Sequence, residues 1–165
     1  TTSRQVNWKK LDLAVEAFVK NGKKLILVGG GAEHQKLKEL AKSAKNIEFI
    51  SRINDPKNLS KIVAKSRGFI FPSLEPFGIA PIEALATGTP VLALNQGGAQ
   101  DYIMDGVNGV LFESQSVDEI IKSVKRFEKM KFNLKEVSKT AKRFSKDNFK
   151  KNFEREVRDR FNEKF

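Results

Sequence analysis

The 165-residue sequence predicts an α/β fold, a Rossmann-like doubly wound parallel sheet with extra helices at its carboxyl end. Short apolar runs alternate with segments of helical periodicity as far as Phe112, a pattern typical of parallel strands joined by crossover helices. After Phe112 only helical patterns follow, and no linker or repeat divides the chain. We therefore expect one domain over residues 1–165, with ligands at the carboxyl ends of the strands.

The predicted strands are apolar along nearly their whole length, as expected for strands covered on both faces. They are Lys24–Val28, Ile47–Ile50, Gly68–Phe71, Pro90–Leu94 and Gly109–Phe112. A Rossmann-like unit should open with a buried strand, and Thr1–Arg4 provides only a stub of one. We therefore expect this polypeptide to be a fragment, or to have a further amino-terminal portion.

Apolar residues at helical spacing predict the crossover helices. In the first of them, Leu11, Val15 and Phe18 fall on one face. The predicted helices of this region are Lys9–Lys20, Glu33–Ser43, Pro56–Lys65 and Ile79–Ala86.

Beyond the last strand, three consecutive helices are predicted at Val117–Phe127, Leu134–Phe144 and Asp147–Phe161. Ser116 and Ser145 are suited to be N-caps, and Glu119 stands at capping-box distance from Ser116. The apolar side chains of the last two helices form a stripe that we expect to dock them on the body of the domain, or to contact a partner domain. The stripe consists of Phe144, Phe149, Phe153 and Phe161.

The composition excludes several classes of protein. There is no cysteine, so disulfides, thiolate metal sites and a cysteine nucleophile are excluded. No apolar run is long enough to span a bilayer, and no signal peptide opens the sequence. We expect a cytoplasmic protein, either soluble or peripheral to the membrane.

The net charge of +11 is concentrated late in the chain, where residues 131–151 hold eight Lys/Arg against Glu136 and Asp147. Nucleic acid is disfavoured as a partner, because no aromatic stacking platform or known nucleic-acid motif accompanies these residues. An anionic membrane surface that carries a lipid-linked acceptor is one interpretation. Solvated helix faces are the other.

The segment from Pro72 to Pro90 carries the clearest chemical signal. A strand is predicted to end at Phe71, and a helix to begin near Ile79 after a turn at Gly78. Pro81 suits the first helical turn. The free N–H groups at such a helix start, together with the helix dipole, favour a phosphate.

Two carboxylates flank this helix start. Glu75 lies in the preceding loop, and Glu83 lies about one turn inside the helix. Carboxylates repel phosphate but accept hydrogen bonds from hydroxyls, including both hydroxyls of a vicinal diol. The pattern therefore favours a ligand with both phosphate and sugar groups.

The spacing of Glu75 and Glu83, with seven residues between them, resembles the E-x7-E signature of retaining GT-B glycosyltransferases. The surrounding PSLEPFGIAPIEALATGTPVLA resembles glycosyltransferase family 4, the group 1 transferases. Further similar elements are Ser3-Arg4 with Lys9, Leu27–Gly31, Gly97–Ile103 and Asp105–Phe112. The resemblance implies the carboxyl-terminal, donor-binding half of the GT-B fold.

The resemblance also implies roles for individual residues. Arg4 and Lys9 would neutralise the donor diphosphate and stabilise the departing nucleoside diphosphate, and Glu83 would hold the ribose hydroxyls. Glu75 would grip the transferred sugar and the pyrophosphate together with backbone groups of Phe77, Gly78 and Ile79. Gly30 and Gly31 would allow close approach of the nucleotide, and the backbone near Arg52 and Ile53 would meet the base.

The resemblance implies a nucleoside-diphosphate hexose as substrate, with GDP-mannose the first expectation and UDP-glucose or a similar donor the second. It implies transfer to a saccharide or lipid-linked acceptor, as in polysaccharide assembly, without a metal or cofactor. The family's acceptor-binding amino-terminal domain matches no part of this sequence. The polypeptide alone is therefore expected to bind donor weakly and to turn over slowly. A non-catalytic nucleotide-sugar-binding subunit that works with a partner chain is the alternative.

Two positions depart from the family pattern, Asp101 in place of the usual Glu and Lys10 in place of the usual Asn. A dinucleotide-binding site at Gly29–Gly31 is disfavoured, because His34 occupies the place of the last glycine in G-x-G-x-x-G. His34 is expected to be solvated or packed rather than a catalytic base, and Trp8 to be a packing residue.

Overall fold

Five parallel strands form the centre of the protein in a computed structural model, which describes residues 1–162. Their pairing is β1 with β2 in one sheet and β3–β4–β5 in the other, all parallel, as predicted. No strand begins more than one residue later than expected. The strands are β1 (Leu25–Val28), β2 (Ile47–Ile50), β3 (Phe69–Phe71), β4 (Val91–Leu94) and β5 (Gly109–Phe112).

The amino-terminal residues extend the sheet along the free edge of β1, as the predicted stub requires. The Ser3 N–H donates to the Val28 carbonyl at 3.0 Å, and the Val28 N–H donates to the Thr1 carbonyl at 2.9 Å. A groove of about 680 Å³ is lined by residues of both sheets, among them Ile26 of β1 and Ile70 of β3. The two sheets share one apolar core, which includes Leu25 of β1 and Ile70 of β3.

Helices cover both faces of the strands, which confirms the doubly wound arrangement. One apolar cluster packs α1, α2 and α6 against one face, and a second packs α3, α4, α5 and α7 against the other. The helices are α1 (Leu11–Asn21), α2 (His34–Leu40), α3 (Pro56–Ala64), α4 (Ile79–Ala86), α5 (Ala99–Tyr102), α6 (Val117–Lys129), α7 (Leu134–Thr140) and α8 (Lys146–Asn162).

The predicted start of the first helix is wrong, and so is the predicted end of the second. Lys9 belongs to a separate 3₁₀ turn, Asn7–Lys9, and Lys10 has a left-handed φ of 52° that breaks the helix before Leu11. α2 ends at Leu40 because the next turn tightens to three-residue hydrogen bonds, such as that from the Lys42 N–H to the Glu39 carbonyl.

The helix predicted over Leu134–Phe144 is divided. α7 ends at Thr140, and a 3₁₀ turn follows at Lys142–Phe144. Tertiary contacts account for the break, because the Thr140 hydroxyl accepts a hydrogen bond from the buried Asn108 amide at 3.0 Å. Phe144 turns onto the rings of Phe77 and Tyr102. The sequence reading also missed the four-residue helix α5.

The helix starts at Ser116 and Ser145 agree with the predicted caps. The Ser116 hydroxyl accepts from the Glu119 N–H, and the Ser145 hydroxyl accepts from the Asn148 N–H, both at 3.3 Å. The reciprocal half of the capping box is absent there, since the Ser116 N–H donates to the Ser114 carbonyl instead.

The last helix, α8, contributes no buried residue. Of the predicted phenylalanine stripe, Phe144 packs on the body of the domain. Phe149 and Phe153 stack on each other and stay 65% and 60% exposed, so the prediction that they dock the helix is wrong. Phe161 is exposed as well. Within residues 1–162, no helix is long and apolar enough to cross a membrane.

The contrast between the core and α8 gives a stability prediction. Phe112 is fully buried, so Phe112→Ala should lower the free energy of unfolding by about 3–5 kcal/mol through lost burial and a new cavity. Phe149→Ala makes the same chemical change on the exposed helix and should stay within about 0.5 kcal/mol of the parent. Urea denaturation of both variants checks this. Equal losses would mean that α8 is docked in solution.

Candidate functional site

The candidate site is built from loops at the carboxyl ends of β1, β3 and β4, which parallel strands bring to one edge. Two of these loops are bonded directly, since the Gly98 N–H donates to the Glu75 carbonyl at 2.9 Å. A hydrogen bond from the Gln5 N–H to the Gly30 carbonyl, 2.9 Å long, ties the amino-terminal segment to the loop after β1. The site is thus assembled from segments far apart in sequence.

Lys9 and Glu75 form an ion pair at this edge, with 2.5 Å between Lys9 Nζ and Glu75 Oε1. Both side chains are largely buried, with 15% and 14% of their surfaces exposed. The Ser73 hydroxyl, itself buried, donates to the same Glu75 oxygen at 2.7 Å. The predicted phosphate-binding lysine and sugar-binding carboxylate are therefore brought together, and Ser73 is a site residue that sequence reasoning missed.

Trp8 is not the packing residue that was expected, because it is 48% exposed. The Lys9 ammonium lies 4.0 Å from the centre of its ring, a cation–π arrangement. The indole therefore borders the ion pair from the solvent side and holds the lysine in place.

Helix α4 begins where the sequence predicted, at Ile79 after Gly78. Gly78 has a φ of 83°, and a Cβ there would lie 2.8 Å from both the Phe71 ring and the Tyr102 hydroxyl oxygen. Only glycine fits this turn. As the N-cap residue it offers no side chain to the helix amides, and Ile79 is 67% exposed. The start of α4 is therefore open to an anionic ligand.

Glu83 lies one turn inside α4, on the surface, and its carboxylate makes no hydrogen bond or ion pair within the part of the chain that the structure describes. Although the residue as a whole is exposed, partial desolvation of its carboxyl raises the pKa of Glu83 above the usual 4.5. A partly desolvated carboxylate without a partner is poised to accept hydroxyl donors from a ligand.

The glycine loop after β1 packs against the amino-terminal segment. A Cβ on Gly31 would lie 2.4 Å from the Gln5 carbonyl oxygen, whereas a Cβ on Gly30 would meet nothing within 4 Å. Gly31 is thus fixed by packing, while Gly30 leaves open space for a ligand. Gln5, which the sequence reading missed, is fully buried and bonds the Gly29 carbonyl at 3.2 Å and His34 Nδ1 at 2.5 Å.

His34 also meets the Phe49 ring edge-on, so it is a packed residue as expected. Arg4 is exposed and has no ion-pair partner among residues 1–162. Arg52 and Ile53 lie in the loop after β2, the first exposed and the second half-buried. The structure does not bring these three into contact with the Lys9–Glu75 pair. They border the site through their places at the same edge.

Gly97 and Gly98 support the site from the β4 loop, a role that sequence reasoning did not assign. A Cβ on Gly97 would lie 2.5 Å from the Glu75 carbonyl oxygen, and one on Gly98 would lie 2.3 Å from the Pro76 carbonyl oxygen. The paired glycines after a predicted strand were the available signal. The lack of side chains at Gly97 and Gly98 lets the backbone that carries Glu75 pack directly against the β4 loop.

A doubly wound fold with charged side chains and an open helix start at one edge defines a ligand-binding domain of the Rossmann-like class. The family model for the group 1 glycosyl transferases matches residues 1–151. The chain belongs to this family, and its fold matches that of GT-B glycosyltransferases.

Curated relatives are similar to most of this chain but are much longer than it. An alpha-1,3/1,6-mannosyltransferase, alg-2, of Neurospora crassa is 28% identical over 149 residues, which cover 69% of this chain and 32% of that protein. A glycogen synthase of Thermodesulfovibrio yellowstonii is 31% identical over 130 residues, covering 75% and 26% respectively. The chain thus spans about a third or less of these relatives.

Solved structures have the same fold. The apo form of the lipopolysaccharide outer core galactosyltransferase WaaB superposes with a TM-score of 0.85 at 18% identity, covering 96% of this chain and 48% of that one. Anabaena HepE in complex with UDP superposes with a TM-score of 0.67 at 26% identity, covering 90% and 43%.

The raised pKa of Glu83 gives a prediction for pH dependence. The folded chain holds this proton more readily than the unfolded chain, so the carboxyl's contribution to stability is lost as pH rises through the raised pKa. Glu83→Gln removes that loss, so the stability of the variant relative to the parent should increase as the pH rises through and above 4.5. Denaturation at several pH values measures it.

Glu154→Gln, which removes the same charge from the exposed face of α8, is the control and should run parallel to the parent across this range. A Glu83→Gln profile that also runs parallel to the parent would refute the desolvation of Glu83.

Proposed function

We propose that this chain is the donor-binding domain of a retaining glycosyltransferase that transfers a hexose from a nucleoside diphosphate. The observation that carries the proposal is the largely buried Lys9–Glu75 pair at the carboxyl edge of the sheet, close to the open start of α4. Such a pair supports the proposal, because an ammonium suits a phosphate and a carboxylate suits the hydroxyls of a sugar.

The diphosphate of the donor binds the positive groups of this edge. Lys9 is held in place by Glu75 and Trp8, and Arg4 contributes a second charge from the amino-terminal segment. Backbone N–H groups of Gly78 and Ile79 add the hydrogen-bond donors and the dipole of α4. These groups supply the positive charge that a divalent cation supplies in other transferases, so the proposal includes no metal or cofactor.

The sugar and the nucleoside bind on either side of the diphosphate. Glu75 and the backbone at Phe77 hold the hexose, and Glu83 accepts the ribose hydroxyls through its partly desolvated carboxylate. The open space over Gly30 admits the nucleotide next to Gly31, and the backbone at Ile53 contacts the base.

The reaction breaks the bond between the anomeric carbon and the terminal phosphate oxygen. Negative charge develops on that oxygen, and Lys9, Arg4 and the α4 amides stabilise it in the transition state. The oxygen of the acceptor hydroxyl then bonds to the anomeric carbon with retention of configuration, and its proton passes to the departing phosphate oxygen. In this proposal the acceptor is held by a second domain, and full turnover requires it.

The first donor to test is GDP-mannose, and the second is UDP-glucose. The similarity to a protein named as a mannosyltransferase supports the former, and the structural likeness to HepE in complex with UDP supports the latter. Calorimetric titration of the chain with GDP and with UDP tests the proposal. Absence of both binding and thermal protection at millimolar nucleotide would contradict it.

The ion pair gives a direct prediction for binding. Lys9→Met removes a charged hydrogen-bond donor to phosphate while keeping the side-chain length, so affinity for the preferred nucleoside diphosphate should fall about tenfold or more. Lys20→Met, which removes the same charge from the exposed end of α1, is the matched control and should bind like the parent. Equal affinities of the two variants for the nucleoside diphosphate would show that Lys9 does not bind it.

A further inference from the structure

The Tyr102 side chain holds the loop that carries the α4 amides from inside the domain. Its hydroxyl donates to the Phe77 carbonyl at 2.7 Å and lies 3.4 Å from the Gly78 carbonyl oxygen. Tyr102 is 2% exposed and is the only tyrosine in the chain. It lies on α5, a short helix that the sequence did not predict.

The hydrogen bond from Tyr102 to the Phe77 carbonyl also fixes the direction of the Gly78 N–H. The peptide bonds of the described chain are trans, and a trans peptide is planar with its C=O and N–H pointing in opposite directions. Because the Phe77 carbonyl points inward to Tyr102, the N–H of Gly78 in the same peptide points away from the buried hydroxyl. The Gly78 carbonyl, which lies farther from the hydroxyl, shares its peptide with the Ile79 N–H, so that N–H also points away from the hydroxyl.

Tyr102 is itself fixed on several sides. The buried Asn108 amide donates to its carbonyl at 2.9 Å, and the rings of Phe77 and Phe144 meet its ring edge-on at 6.2 and 6.0 Å. Burial, and then the charges of Glu75 and Asp101, raise the pKa of Tyr102, so the hydroxyl stays protonated and remains a donor. An added methyl on Gly78 would collide with this hydroxyl oxygen at 2.8 Å.

We propose that Tyr102 is a positioning residue of the donor site: its buried hydroxyl holds the Phe77 carbonyl inward and so directs the Gly78 N–H at the diphosphate. This inference rests on the proposed function, and it gives a role to a residue that is not one of the charged groups of the site. Without the hydroxyl, the peptide between Phe77 and Gly78 is free to rotate, and the amide must be ordered when the ligand binds.

The test compares Tyr102→Phe with the parent by calorimetry, using UDP and GDP and the matching nucleosides uridine and guanosine. The variant keeps the ring and loses only the hydroxyl. Its affinity for the diphosphate should fall about tenfold, as for one lost hydrogen bond to a charged group, while its affinity for the nucleoside stays unchanged. Amide exchange at Phe77–Ile79 should be faster in the unliganded variant.

Thr89→Val is the matched control, since it also removes a buried hydroxyl that donates to a backbone carbonyl, that of Val63 at 2.9 Å, beyond the carboxyl end of α4. It should keep the parent's diphosphate affinity whatever its stability. A Tyr102→Phe chain that loses nucleoside and diphosphate affinity equally, or neither, overturns the inference. A parent that binds neither UDP nor GDP overturns the proposed function instead.

A second measurement does not depend on the variant folding. Growth with 3-fluorotyrosine labels Tyr102 alone, because the chain has no other tyrosine. The fluorine resonance should move when the parent binds UDP or GDP and stay in place with uridine or guanosine. A fluorine resonance that does not shift when the diphosphate binds would contradict the role of Tyr102.

Discussion

The ion pair of Lys9 and Glu75 joins parts of the molecule that the sheet leaves separate. Lys9 precedes α1 and Glu75 follows β3, and β1 and β3 belong to different sheets. Because both side chains are largely shielded from water, their attraction is stronger than that of a surface pair, and loss of either partner would leave a poorly solvated charge. The shape of the edge that carries the candidate site therefore depends on this contact.

Around the pair, the site relies on close backbone approach more than on large side chains. Gly98 lies where any side chain would strike the loop of Glu75, and Gly31 lies where one would strike Gln5. Such packing leaves the start of α4 uncovered by side chains. Glu83 adds a partly desolvated carboxylate with a raised pKa, so the ionised form of this one group is disfavoured when no ligand pairs with it.

The last helix presents a different face of the protein. Its phenylalanines are exposed, while the turn before it packs through Phe144 on the rings of Phe77 and Tyr102, beside the loop that precedes α4. The basic stretch of residues 131–151 runs through the same region. Exposed aromatic rings beside positive charge are typical of an interaction surface, and a partner domain remains the prediction for it.

The sequence alone predicted the strand positions, the doubly wound order and the helix start after Gly78. Short apolar runs, helical periodicity and glycine turns are local signals. The E-x7-E spacing likewise made Glu75 and Glu83 candidates for the site, and their role stays a prediction. Only the tertiary structure decided that Lys9 meets Glu75 across 66 positions, that Ser73 and Tyr102 support the loop, and that the helix after Leu134 breaks at Thr140. These outcomes depend on which loops the sheet brings to one edge, a non-local property that no window of sequence contains.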